Sequence, residues 1–217
     1  MPNTRKNREK VVRQTQTTKA GILRAAREEF AQKGLEGSLV DRIAERSGSN
    51  KRMIYHYFEN KDGLYKTVLE GIYAELREHE AELNLEQHSP IDAINLLVEH
   101  TFYYFHKNIE AVRLLNDENL HDARHVESSK SIAGLRLTLL DTISETLDRG
   151  VAAGLFRKDI NPAHFYITVA SVCYFPISNA ATLKAFLGVD IQSKKDLELR
   201  LDYAKRAALG CLLRDPD

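Results

Sequence analysis

Tryptophan is absent from this 217-residue chain, and cysteine, methionine and proline are scarce, at two, two and five residues. Two thiols, Cys173 and Cys211, cannot form the framework of a disulfide-stapled domain. Both sit in apolar helical patterns, which reads as buried, reduced cysteine in a reducing compartment. Few prolines and eleven glycines favour long uninterrupted elements. No stretch approaches the roughly 20 apolar residues that a membrane span needs. The N-terminal MPNTRKNREKVVRQTQ is basic with no apolar segment behind it, so the pattern of a secretory signal is missing. A nucleophile elbow, a phosphate-binding glycine loop and a CxxC pair are missing too, which argues against an enzyme, and no cofactor is expected. These absences point to a cytoplasmic chain whose hydrophobic fraction of 43% suffices for a sizeable core.

What is present is unevenly charged. The net charge is zero, yet residues 1–66 hold 15 Lys and Arg against 8 Asp and Glu, and the remainder holds 16 against 23. A basic first third joined to an acidic remainder suggests a polyanionic partner for the first part only. Within it, SLVDRIAERSGSNKRMIYHYFENK (38–61) reads as two short helices around a tight turn. Ser38 caps the first, with Asp41 as the acidic half of a capping box, and Val40, Ile43 and Ala44 share a face. Gly48 supplies the permissive turn, and Asn50 or Ser49 caps the second helix. There Ile54 and Phe58 point inward, while Lys51, Arg52, Tyr55, His56 and Tyr57 face out as donors or positive charge. A short helix with a buried back and a donor-rich front suits a DNA major groove.

The rest of the pattern is helical without a strand signal. Residues 1–17 are basic and nearly devoid of large apolar side chains. They are predicted to be a disordered arm, either following a groove and its phosphates or merely solubilising. Thr18 opens a helix with Ile22, Leu23, Ala26 and Phe30 on one face and Gly34 as its stop. Residues 18–63 form a three-helix head too small to be very stable alone. Asn60 caps a bridging helix over 61–84 carrying Leu64, Val68, Ile72 and Leu76, with Gly71 as its weak point. Beyond it, residues 64–217 make a second domain. Ser89-Pro90 opens a helix, a short one follows Asn108, and NDENLHDARHVESS is a polar interruption. A long amphipathic helix covers about 129–153. Asn161-Pro162 opens a segment apolar nearly all round, to 186, with Pro176 expected to kink or interrupt it, and a broad apolar stripe lies over 193–213.

The run TTKAGILRAAREEFAQKGLEGSLVDRIAERSGSNKRMIYHYFENKDGLYKTVL resembles the DNA-binding head of TetR-family transcriptional regulators. The pieces ILRAAREEF, GLEGSLVDRIAERSG and IYHYFENKDGLY carry the likeness. The resemblance implies an all-α fold, with a helix-turn-helix head and a six-helix effector-binding and dimerisation domain. It implies Lys51, Arg52 and Met53 facing bases with His56 beside them, and Tyr55, Tyr57 and Lys61 on phosphates. Thr18 and Ser38 would present helix N-termini to the DNA backbone, with Arg42 near. Family members carry small residues where Arg52 and Met53 stand; Arg52 would read a guanine edge or clamp a phosphate. The C-terminal part, ASVCYF, LKAFLG and DLELRLDYAKRAALGCL, is similar to the branch containing pyrimidine-utilisation and nicotinate-pathway regulators. That implies a repressor binding a palindromic operator, as a homodimer through 162–186 and 193–213, and released by a small effector.

Candidate effector contacts are Phe102, Phe105 and His106 on one helix, Tyr166, Tyr174, Phe175 and Asn179 on another, and Arg113, Asn116 and Asn119 between. Aromatic walls with a few polar groups suit a small aromatic or heterocyclic compound, including an acid. Asp117, His121 and His125 recur every four residues and, if helical, share a face with metal-ligand spacing. That leaves a metal-responsive regulator, or a helical metal-dependent enzyme, as the alternative to an ordinary polar stretch.

Overall fold

A computed structural model describes the backbone of residues 3–214 and the side chains of 18–214. Its elements are α1 (Asn3–Gly37), α2 (Val40–Ser47), α3 (Lys51–Phe58), α4 (Lys61–Ala81), α5 (Pro90–Lys107), α6 (Ile109–Leu120), α7 (Arg124–Glu127), α8 (Lys130–Ala152), α9 (Pro162–Ser178), α10 (Ala180–Leu187) and α11 (Lys194–Leu212). The chain is all-α; among the described residues the one extended pairing is a bridge between Phe156 and Leu213. No described helix is long and apolar enough to cross a membrane. The side chains of residues 1–17, where the basic arm was expected, lie outside the described residues; from Asn3 the backbone is helical within α1.

The chain forms two compact units. The first runs through Ile72 and takes in Arg113–Ser129, and the second comprises Tyr73–Val112 and the chain from Lys130 onward. The boundary expected after residue 63 therefore falls inside α4. The reason is visible in α4 itself: Leu64, Tyr65, Val68, Leu69 and Ile72 are all buried, so its first three turns complete the core of the head. That core also takes Ile22, Ala26 and Phe30 from α1, Ile43 from α2, and Ile54 and Phe58 from α3. The segment 113–129 is not a loop. α6 continues through Asn116–Leu120 because its acidic and amide side chains find partners in the first unit.

One of those partners explains Gly34. α1 is interrupted there at φ 68° and ψ 175°, the stop expected from the sequence. Asp117 Oδ2 accepts the Leu35 N–H at 2.8 Å, and a Cβ on residue 34 would lie 2.5 Å from Asp117 Oδ1. Glycine is required here twice, for its positive φ and for the close carboxylate.

In the second unit α5 is the central helix, packed by α8, α9 and α11. Ala93, Ile94, Leu97, Val98 and Phe102 of α5 are at most 2% exposed, and Phe165, Val169 and Cys173 of α9 and Ala204, Ala208 and Leu212 of α11 are buried in the same unit. The segment expected to be kinked or interrupted at Pro176 is two helices, with the break three residues later. Pro176 stays within α9, and the break comes at Asn179, whose amide donates to the Phe175 carbonyl (3.1 Å) and to Ser178 Oγ (2.7 Å). A proline close to a helix end removes a backbone donor where the helix can finish soon after.

Gly71 sits exposed in the interior of α4, and nothing lies within 4 Å of the space a Cβ would take. Gly71→Ala should therefore raise unfolding stability by about 0.5–1 kcal/mol, measured by urea denaturation. A loss of stability would show that the helix needs the glycine for another reason.

Candidate DNA-binding face and effector cavity

The reading helix is prepared by its turn. Gly48 adopts the left-handed conformation at φ 65°, ending α2, and Asn50 Oδ1 accepts the Met53 N–H at 3.0 Å to start α3. With Ile54 and Phe58 buried, Lys51, Arg52, Tyr55 and His56 are left exposed along one side, with Met53 and Tyr57 half-buried. Lys51 Nζ rests on Asp41 Oδ2 at 2.8 Å, a hydrogen bond that raises its pKa and keeps it charged. The His56 and Tyr57 rings lie 5.4 Å apart. Asn60 Oδ1 caps α4 through the Gly63 N–H at 2.8 Å, and Lys61 Nζ reaches the Glu36 carbonyl at 3.2 Å. Lys51, Arg52, Met53, Tyr55, His56, Tyr57 and Lys61 are thus consecutive or adjacent on one short stretch. Thr18, expected to open a helix, is half-buried inside α1, whose backbone is helical from Asn3, so it presents no helix N-terminus.

Ser38 departs from expectation. It is 1% exposed, and its hydroxyl donates back to the Leu35 carbonyl at 2.8 Å, so it neither caps α2 nor faces outward. The residue at the cap position is Leu39. Its N–H is met by Glu29 Oε1 at 3.4 Å, a fully buried carboxylate that also faces Arg42 Nη1 (3.5 Å) and Arg46 Nη1 (3.7 Å). A negative group at a helix N-terminus is favourable. Arg42 is exposed but already engaged with Glu29. Sequence reasoning missed Glu29, although its signal was available: it lies four residues after Ala25 on the apolar stripe of α1.

The proposed metal cluster is not assembled. α6 stops at Leu120, and Asp122 and Ala123 turn the chain with positive φ, so His125 falls in a separate short helix. Asp117 is engaged with Leu35 N and with the Tyr65 hydroxyl (3.0 Å). His125 Nδ1 is 2.7 Å from Glu118 Oε2, and its Nε2 is 3.2 Å from Asp62 Oδ1. His121 Nε2 lies 3.8 Å from Asp117 Oδ2. Among the described residues no group of three or more ligand types is placed to hold a metal ion. The polar stretch instead locks α6 and α7 into the first unit.

The residues named as effector contacts divide between the units, the aromatic ones all lying in the second. Phe102 and Phe105 are core, and the Phe105 ring meets the edge of Tyr174 at 5.1 Å. The Tyr174 hydroxyl, pushed up to about 12 by burial, donates to the Val112 carbonyl at 3.1 Å. His106 is half-buried, Phe175 is 54% exposed and Asn179 closes α9. Arg113, Asn116 and Asn119 are exposed on the part of α6 that belongs to the first unit, and Asn119 donates to the Leu115 carbonyl at 2.8 Å.

The enclosed space lies elsewhere in the second unit. A cavity of about 50 Å³ is lined by Ala81, Leu85, Leu97, Leu139 and Ile143, with Arg77, Glu80, Thr138 and Thr142 as its polar members. The Arg77–Glu80 ion pair is 8% and 9% exposed. Arg77 Nη2 also donates to the Tyr166 hydroxyl at 2.9 Å, which brings one predicted contact into the cluster. Glu80 Oε1 and Arg77 Nε carry no hydrogen bond. The sequence signal for the pair was again position: Glu80 falls four residues after Leu76 on the buried stripe of α4.

Burial pushes the Glu80 carboxyl up to about 7 from its ordinary 4.5, against the attraction of Arg77. Between those values the folded chain holds a proton that the unfolded chain has released. The stabilisation from this group is therefore complete at acid pH and is lost as pH rises towards 7, by about 3 kcal/mol in all. Urea unfolding between pH 5 and pH 8 should show this component vanish in Glu80→Gln; an unchanged pH profile in the variant would contradict it.

Comparison with known proteins accords with this geometry. Residues 22–68 match the profile described as bacterial regulatory proteins, tetR family, and residues 90–207 match tetracyclin repressor-like, C-terminal domain. The chain is 38% identical over 201 residues to the HTH-type transcriptional repressor NicS of Pseudomonas putida, covering 93% of this chain and 95% of that one. It is 41% identical over 54 residues to the HTH-type transcriptional regulator RutR of Escherichia coli, 25% of this chain and 26% of that one. The fold is shared with a putative transcriptional regulator, SCO4942 of Streptomyces coelicolor, at TM-score 0.67 and 24% identity over 91% of this chain and 99% of that one. The ketosteroid regulator KstR2 of Mycobacterium tuberculosis gives TM-score 0.65 at 18% identity, covering 91% and 95%. From a helix-turn-helix head with an outward-facing reading helix to a helical second unit matched along its length, the chain belongs to the TetR family of transcriptional regulators.

Proposed function

We propose that this regulator is a repressor that binds a palindromic operator as a homodimer in the cytoplasm and is released by a small-molecule effector. The observation that carries the reading is α3, whose buried Ile54 and Phe58 leave Lys51, Arg52, Tyr55 and His56 exposed on one side. Such a helix suits a major groove, with Lys61 and the tyrosine hydroxyls beside it for phosphates. Two-fold operators need two heads roughly 34–36 Å apart. The second unit offers the means to pair them: Ile167 and Phe175 of α9, Phe186 and Leu187 of α10, and Leu199 and Tyr203 of α11 are 48–87% exposed. Large apolar side chains in that number, over the span 162–213, favour a self-complementary interface.

Release is proposed to work through α4, which begins in the first unit and ends in the second. An effector shifts the heads only by its differential affinity for the binding and non-binding states, and a coupling of about 1–3 kcal/mol is ordinary. The reading is tested by selecting sheared source-genome fragments with the purified protein at two salt concentrations. Recovery of a few fragments sharing an inverted repeat, with affinity falling steeply with salt, is expected. Recovery of fragments without a shared sequence would contradict sequence-specific repression.

A further inference from the structure

We propose that the turn Leu85–Gln87 is a gate, latched by Arg149, over a ligand site at the Arg77–Glu80 pair, and that the site takes a small neutral molecule with an N–H beside a carbonyl. The inference rests on the reading of the second unit as effector-binding and names the chemistry of that site.

The gate is defined by its fastening. Leu85 is 3% exposed and forms part of the cavity wall, although it stands on a one-turn 3-10 segment with no long helix to hold it. The chain enters that segment through Asn84 at φ 46°, a left-handed residue suited to a sharp change of direction. Its own bonds are two: Gln87 N–H to the Asn84 carbonyl (2.9 Å) and His88 N–H to the Leu85 carbonyl (3.3 Å). What fixes it to the unit is Arg149 of α8. Its guanidinium donates to three carbonyls of the turn and its end, those of Leu85 (2.8 Å), Glu86 (3.1 Å) and His88 (2.8 Å). One side chain holding three backbone carbonyls makes the turn release as a unit when that side chain lets go.

Outside the turn lies an open recess of about 520 Å³, lined by Glu86, Glu145, Asp148 and Arg149. Leu85 and Thr142 line both the recess and the inner cavity, so moving Leu85 joins the two. The inner space of about 50 Å³ holds a water-sized guest, far short of a ring, so an effector of ordinary size requires that motion.

Charge and unspent hydrogen-bonding atoms choose the guest. Three carboxylates against one arginine at the recess disfavour an anion on its way in. Inside, above pH 7, where Glu80 is ionised, it matches the Arg77 charge, so a second net charge would be buried without a partner. What remains open is a donor, Arg77 Nε, beside an acceptor, Glu80 Oε1. A neutral lactam-type edge supplies the complement: its carbonyl accepts from Arg77 and its N–H donates to Glu80, with an apolar body against Leu97, Leu139 and Ile143.

The test uses the full-length protein, hydrogen exchange and two probes, 2-pyridone and N-methyl-2-pyridone, at millimolar concentration. Arg149→Ala should speed exchange of the Gln87 and His88 amides by about tenfold or more while the α5 amides stay protected. Unchanged exchange would overturn the gate. 2-Pyridone should raise the melting temperature saturably, N-methyl-2-pyridone should not, and Glu80→Leu, which removes the acceptor, should lose the effect. Leu85→Ala, which removes the plug and keeps the latch, should bind 2-pyridone more tightly than the wild type. Equal action of both probes, or no saturable binding of 2-pyridone in Leu85→Ala, would overturn the proposed guest. Failure to select any shared DNA sequence would instead sink the repressor reading, and it leaves these exchange and melting results standing on their own.

Discussion

Arg52→Ala is expected to weaken operator binding by roughly 30-fold to 10⁴-fold, on the basis of about 1–3 kcal/mol for a bidentate base contact in each of two heads. The side chain is exposed on the first turn of α3, away from the buried Ile54 and Phe58, so the substitution leaves the fold unaltered. Unfolding stability should change by no more than about 0.5 kcal/mol. Titrating the variant against the selected operator and against point-substituted operators separates the two roles open to Arg52. If it reads a guanine, the loss disappears on operators already altered at that base pair. If it clamps a phosphate, all sequences weaken alike and the slope of log affinity against log salt falls by about 0.9 per head. Affinity equal to the wild type on every sequence would remove Arg52 from the interface.

Glu118→Ala should cost about 3 kcal/mol of unfolding stability and abolish DNA binding near the new melting temperature. The carboxylate is 2% exposed and accepts the backbone N–H groups of His125 (2.8 Å) and Val126 (3.1 Å) while facing His125 Nδ1 at 2.7 Å. Removing it strands two backbone donors and a buried ring in one step. The loss should appear as a lower urea midpoint, and Glu118→Gln, which retains a side-chain oxygen for those donors, should lose less. A cost under about 1 kcal/mol would mean that water replaces the carboxylate at the start of α7.

The contrast between these two residues marks how far the sequence could be read. Arg52 was legible because a surface helix writes its outward face as a periodic pattern: Ile54 and Phe58 define the back, and the rest follows by angle. The caps at Asn50, Asn60 and Asn161 were legible for the same local reason, since each partner lies within three residues. Glu118 was not. Its role depends on a turn at Asp122 and Ala123 that folds α7 back on α6, and no local signal foretells two successive non-glycine residues with positive φ. Spacing alone suggested that Asp117, His121 and His125 share a face, and that turn removed His125 from it. The expected effector contacts show the other limit. Phe102, Phe105 and Tyr174 carry the largest apolar surfaces and drew attention as pocket walls, yet large rings pack well and close space. The cavity formed where Arg77 and Glu80 interrupt the stripe of α4, because a buried ion pair cannot be covered as tightly as a hydrocarbon. Ser38 misled for a related reason: a serine ahead of a helix has the chemistry of a cap, but here the acid from α1 reached the α2 N-terminus instead.

Repression as proposed requires α3 to read the major groove in pairs. The measurement that tests it most directly is a hydroxyl-radical footprint of the wild-type protein on the selected operator, with guanine-N7 methylation interference on the same fragment. Two protected patches on one face of the duplex, with centres one helical turn apart and interference inside each, are the predicted result. One patch, or protection spread evenly without interference at any guanine, would contradict both the pairing and the groove.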